Sequence, residues 1–105
     1  MNSITPLELK ERLDKGEDIK VIDVREPYEA EMASFGAELI PMGTVMENLD
    51  KIRRDGDVVV HCRSGKRSAS VIHVLSTQHG YTNLINLEGG IIKYAQDVDP
   101  SLDVA

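Results

Sequence analysis

Along the chain, short apolar runs alternate with stripes at helical spacing. Thr5, Pro6 and Glu8 form a capping box with proline at the first helical position, and Ile4 is placed to staple onto Leu9. A helix is therefore expected from residue 6 to about 15, ended by Gly16. Residues 20–24 (KVIDV) and Val58–His61 (VVVH) are β-branched runs too short for helices, and the second reads as a central parallel strand. Thr44 and Glu47 repeat the capping-box spacing, with Val45, Leu49 and Ile52 following at helical intervals, and Asp55-Gly56-Asp57 supplies a turn. Residues 68–79 put Val71, Val74 and Leu75 on one helical face and Ser70, His73 and Thr77 on another, with Gly80 as the stop. Residues 84–87 form a weaker strand and residues 91–96 a short helix, before Pro100 and a tail expected to be loose from about residue 98.

Strands alternating with helices over about 100 residues imply an α/β domain, a mostly parallel central sheet with helices on both faces. No repeat, low-complexity tract or linker divides residues 1–105, so one domain is expected. In such sheets ligands bind beyond the carboxyl ends of the strands. A central strand, a basic loop and a helix start coincide only between His61 and Ser68, which places the site there.

Composition narrows the chemistry. The longest apolar run is residues 58–60, which leaves no membrane span of about 20 residues and no signal-peptide core, and the chain is expected to work in the cytoplasm. Cys62 is the single cysteine, so no intramolecular disulfide, redox pair or cysteine-rich zinc site is available. The formal net charge of -6 argues against nucleic acid as a partner. Yet residues 58–87 contain no Asp or Glu while carrying Arg63, Lys66 and Arg67. An acidic chain keeps one patch suited to anions.

The segment CRSGKRS, residues 62–68, joins the central strand to the next helix. If it curls around its first residue, the backbone N–H groups of Arg63, Ser64, Gly65, Lys66 and Arg67 converge on the sulfur above the positive end of a helix. Gly65 permits the curvature. A thiol so placed has its pKa lowered and serves as a nucleophile, and the cradle would stabilise an anion attached to it, whether persulfide, phosphate or arsenate. The plain alternative, that Cys62 is a small buried apolar residue at a strand end, does not explain three cations and a glycine within five residues. Of those cations Arg67 is expected to turn outward. His61 precedes Cys62 on a strand and so points to the opposite face, which suits packing rather than general base catalysis. His73 is expected on a solvent face and His79 at a helix end, and no spacing among the histidines suggests a metal. Met32, Met42 and Met46 read as core or rim filler.

Taken together, CRSGKRSA after VVVH, DVRE at residues 23–26 and LEGGI at residues 87–91 resemble the single-domain rhodanese family. The resemblance runs from about Ile4 to Leu102. It implies that Cys62 takes a sulfane sulfur from an anionic donor such as thiosulfate or a protein persulfide. The persulfide so formed would pass its sulfur to a thiol, cyanide or a sulfur-carrier protein, with no cofactor. It further implies that residues 63–67 cradle the persulfide, that Arg63 and Lys66 attract the donor, and that Asp23, Arg25 and Ser68 support the loop. For Asp23 and Arg25 a structural salt bridge is the favoured reading. The chain departs from the family where many members read GHIPGA: here the segment is MASFGA, residues 32–37, without the histidine. Tyr94 stands where a tryptophan is frequent.

Two other functions compete. Cysteine phosphatases and arsenate reductases also close an amide cradle with arginine, but with C-x5-R, whereas Cys62 to Arg67 is C-x4-R, better fitted to a single sulfur atom. The third reading is a sulfur-relay or redox-sensing module active only with a protein partner. Residues 98–102 (VDPSL) resemble the end of rhodanese domains fused to enzymes that activate ubiquitin-like sulfur carriers.

Overall fold

Every pair of neighbouring strands in the sheet is parallel. The computed structural model describes residues 1–104. It contains β1 (Ser3–Ile4), β2 (Lys20–Asp23), β3 (Glu38–Leu39), β4 (Val58–His61) and β5 (Leu84–Leu87), in the order β1-β5-β4-β2-β3. The helices are α1 (Pro6–Asp14), α2 (Pro27–Met32), α3 (Lys66–Gln78) and α4 (Gly90–Asp97), with a 3-10 helix at Met42–Lys51.

β4 shows why the sheet is covered on both faces. Its valines alternate: Val58 and Val60 join Ile22, Val71, Ile72 and Leu75 in one core cluster, while Val59 joins Ile4, Leu9, Leu87 and Tyr94 in another. All three are almost fully buried, each contributing about 1.5–3 kcal/mol of hydrophobic stabilisation. α1 starts as expected. Thr5 Oγ1 accepts from the Glu8 N–H at 3.2 Å, Glu8 Oε1 accepts from the Thr5 N–H at 2.9 Å, and Ile4 and Leu9 share a cluster. At the far end, Val98 and Leu102 rest against that same cluster, which gives the tail two apolar contacts.

Two expected helix starts are corrected. Thr44 and Glu47 do not form a capping box: Thr44 Oγ1 donates to Pro41 O at 2.8 Å, and the segment winds as a 3-10 helix interrupted at Asn48 (φ -126°, ψ 27°). Asn48 Nδ2 also donates to Thr44 O at 2.8 Å, a side-chain bond to the backbone of the same segment. α3 begins at Lys66 rather than Ser68, because Gly65 at φ 102° makes the turn into the helix without a side-chain cap. β2 ends at Asp23, one residue early, although the Val24 N–H still donates to His61 O at 3.0 Å.

Register places Asp23 beside His61, and Val60 beside Asn86. The chain therefore leaves β4 at Cys62 between the carboxyl ends of β2 and β5.

Candidate active site

Cys62 is buried, 1% exposed, and the loop folds back over its sulfur. The Gly65 N–H donates to Sγ at 3.1 Å and the Ser68 N–H at 3.4 Å, while Ser68 Oγ also lies 3.4 Å from Sγ. Burial pushes the thiol pKa up. Hydrogen bonds offered to the thiolate form by the Ser68 hydroxyl and by the backbone N–H groups of Ser68, Gly65 and Ser64 outweigh it, leaving the group below its ordinary value. The first turn of α3 holds no acidic residue of its own to offset the positive end of the helix beneath the sulfur.

What holds the loop in this shape comes from outside it. At the start of α4 the Ile91 N–H donates to Cys62 O at 3.0 Å and the Ile92 N–H to Arg63 O at 3.2 Å. A trans peptide points its N–H opposite to its C=O, so a carbonyl of Arg63 drawn towards α4 turns the Ser64 N–H towards the sulfur. Gly90 makes this contact possible. A Cβ there would collide with the carbonyl of Arg63 and lie 2.6 Å from Cys62 O, and its φ of 63° is left-handed. From β5, Asn86 Nδ2 donates to Gly65 O at 3.2 Å, and Asn86 Oδ1 accepts from Ser68 Oγ at 2.6 Å. Neither Asn86 nor the clamping role of Gly90 emerges from the sequence reading. The available signal was a polar residue inside the apolar run LINL, in register with the strand that feeds the loop.

The cations divide differently from expectation. Arg63, Ser64 and Lys66 are exposed at the loop's rim. Arg67 is not turned outward: its Nη1 and Nη2 donate to Glu29 Oε1 and Oε2 of α2 at 2.7 and 2.9 Å. The paired Arg67 guanidinium holds the Glu29 carboxyl at about 2, against a burial effect in the other direction. Arg67 is near enough to Cys62 for the charge of a thiolate there to act on it.

Asp23 and Arg25 form a buried ion pair, each 1% exposed, at 2.7 Å. Arg25 Nη2 also donates to Ala33 O at 2.8 Å and Nη1 to Glu29 O at 3.3 Å, so the pair fastens the end of α2 to β2. His61 lies on the opposite face of β4 from the first core cluster. It stacks on Phe35 at 4.7 Å between ring centroids, and Phe35 stacks on Tyr94 at 4.0 Å. Burial lowers the His61 pKa and keeps the ring neutral, with Nδ1 3.3 Å from Cys62 O. Met32, Met42 and Met46 are not core filler: they are 55%, 40% and 48% exposed, on α2 and the 3-10 helix. Among the described residues no group of three or more His, Cys, Asp or Glu is placed to hold a metal, and no helix is long and apolar enough to cross a membrane.

Comparison with known proteins agrees with this fold. A sulfurtransferase of Allochromatium vinosum is 37% identical over 91% of this chain and 90% of its own length. The probable adenylyltransferase/sulfurtransferase MoeZ of Mycobacterium tuberculosis is 35% identical over 96% of this chain, which spans only 26% of that protein. A rhodanese-like domain protein of Staphylococcus aureus superposes with a TM-score of 0.83 at 32% identity, covering 100% of this chain and 99% of that one. A rhodanese-related protein of Thermoplasma volcanium gives 0.81 at 29% identity, covering 100% and 98%. The family model for the rhodanese-like domain matches residues 5–97, from the cap of α1 to the end of α4, and the chain accordingly belongs to the rhodanese family.

Proposed function

We propose that this protein moves a sulfane sulfur by double displacement at Cys62. Its relatives assign a sulfurtransferase-like, sulfur-relay role in general. The observation that carries the finer reading is the convergence of the Gly65 and Ser68 N–H groups on Sγ itself, with Arg67 tied to Glu29 rather than closed over the cradle. A cradle for one atom suits a sulfane sulfur. A phosphatase or arsenate reductase needs its arginine free to grip a tetrahedral oxyanion.

The Cys62 thiolate attacks the outer sulfur of thiosulfate or of a protein persulfide. The donor's S–S bond breaks, and sulfite or the donor thiolate leaves with the electron pair. The persulfide's terminal charge then faces the N–H groups of Ser64, Gly65 and Ser68 and the helix end. A thiol, cyanide or protein acceptor attacks that terminal sulfur, and Cys62 leaves as the thiolate. Arg63 and Lys66 draw the anionic donor to the rim. The Asp23–Arg25 pair supports the loop at a distance, by fixing α2.

Thiocyanate formation from thiosulfate and cyanide tests this. Cys62→Ala and Cys62→Ser are expected to keep the fold and lose the activity, and activity surviving in either removes the mechanism. A relay working only between proteins is the second reading, favoured by the likeness to the two-activity MoeZ chain and to a putative sulfur carrier protein of Bacillus subtilis, YrkF. Loading by a persulfidic cysteine desulfurase, with none from thiosulfate, would select it.

A further inference from the structure

The hydrogen bonds beneath the thiol run in one direction. Asn86 Nδ2 meets Gly65 O at 3.2 Å, and a carbonyl can only accept, so this contact fixes which end of the amide faces the loop. Asn86 Oδ1 is thereby left facing Ser68 Oγ at 2.6 Å, where the hydroxyl must donate. A hydroxyl has one proton. With that proton committed to Asn86, Ser68 Oγ meets Cys62 Sγ at 3.4 Å as an acceptor, and the bond between them needs a proton on sulfur. Ser68 is 0% exposed and α3 fixes its backbone, so the geometry leaves it few other partners.

We propose that Asn86 is a positioning residue which, through Ser68, holds the proton on Cys62 in the resting protein. The inference rests on Cys62 being the reacting thiol. Ionisation sends the sulfur's proton to solvent, and the Ser68 hydroxyl then turns from Asn86 Oδ1 to the thiolate. No electrons move between residues, and only hydrogen bonds are exchanged. Ser68's help to the thiolate is available only at the expense of its bond to Asn86. Once the negative charge passes to the terminal sulfur of a persulfide, Sγ is neutral and the hydroxyl returns to Asn86. The residue thus favours the thiol at rest and the persulfide when loaded, over the bare thiolate between them.

Because Cys62 is the single cysteine, the pH dependence of its alkylation by iodoacetamide reads its ionisation directly, with no sulfur transfer required. The measurement therefore stands whether or not thiosulfate is the donor. Wild type, Asn86→Ala, Ser68→Ala and the double variant form the set. The charged groups around the thiol are common to all four: Arg67 on α3 with Glu29 from α2, Arg63 and Lys66 at the rim, and the Asp23–Arg25 pair with neutral His61 at the ends of β2 and β4. Removing Asn86 frees the hydroxyl for sulfur, and the midpoint is expected to fall by about one pH unit relative to the same change made in Ser68→Ala, the worth of one hydrogen bond. If Asn86 only tethers Gly65, its loss shifts the midpoint equally in both backgrounds, and the proposal is overturned. Asn86→Asp keeps an acceptor opposite Ser68 and adds negative charge, so its midpoint is expected to rise. A fall there also overturns the proposal, even should Asn86→Ala not fold.

Discussion

Gly90→Ala probes the clamp between α4 and the active loop. Three costs follow from its surroundings. An alanine at φ 63° carries left-handed strain of about 1–2 kcal/mol. Its Cβ would fall 2.6 Å from Cys62 O and would collide with the carbonyl of Arg63. Relieving that overlap separates α4 from the loop and weakens the two bonds of 3.0 and 3.2 Å that Ile91 and Ile92 donate, at about 0.5–1.5 kcal/mol each. The total is about 3 kcal/mol, which for a domain of this size lowers the melting temperature by more than about 10 °C. Gly36→Ala is the control, since φ there is 95° but nothing lies within 4 Å of the added carbon, leaving strain alone. Thermal unfolding of both, with Cys62 alkylation followed against pH, separates the contributions. Gly90→Ala should be the less stable by about 2 kcal/mol and should show a raised thiol midpoint, because the Ser64 N–H is no longer aimed at the sulfur. Equal destabilisation of the two variants, with thiol reactivity unchanged, would refute the clamp.

Glu29→Gln keeps an acceptor for the Glu26 N–H, which Glu29 Oε1 now receives at 3.1 Å, but releases the Arg67 charge. The KM for thiosulfate should fall by about two- to five-fold with kcat little changed, and the gain should vanish when Arg67→Gln is added; an unaltered KM would mean that Arg67 does not reach the donor. Neutralising Arg63 and Lys66 together should act in the opposite sense, raising KM, and a loss of kcat at constant KM would contradict an attracting role. Asp23→Ala strands the Arg25 guanidinium at 1% exposure and should cost about 3–5 kcal/mol in chemical denaturation; a cost below about 1 kcal/mol would show that the pair does not hold α2.

Much of this architecture was readable from patterns long enough to repeat. VVVH and KVIDV are β-branched runs, and Thr5-Pro6-Leu7-Glu8 is a complete helix start, so β2, β4 and α1 were all anticipated. β1 and β3 were not, because two residues each give no periodicity to detect. α2 has no buried residue and hence no apolar stripe, although Pro27 at its first position and the Glu29 acceptor were a legible start. Thr44 and Glu47 had the right spacing for a cap, but the Thr44 hydroxyl found the nearer carbonyl of Pro41. The same division holds at the site. The loop's place was legible from its glycine and charges in a chain otherwise rich in acids. Asn86, Glu29 and Gly90 act from β5, α2 and α4, and their relation to Cys62 exists only once the sheet order β5-β4-β2 brings them together.

The most direct trial of sulfur transfer at Cys62 is an intact-mass spectrum before and after thiosulfate, then after cyanide, beside Cys62→Ala. The mechanism predicts a gain of one sulfur atom in the wild type alone, removed by cyanide as thiocyanate. A protein that gains no sulfur from thiosulfate or from a persulfidic desulfurase, or a variant that gains it without the cysteine, would contradict it.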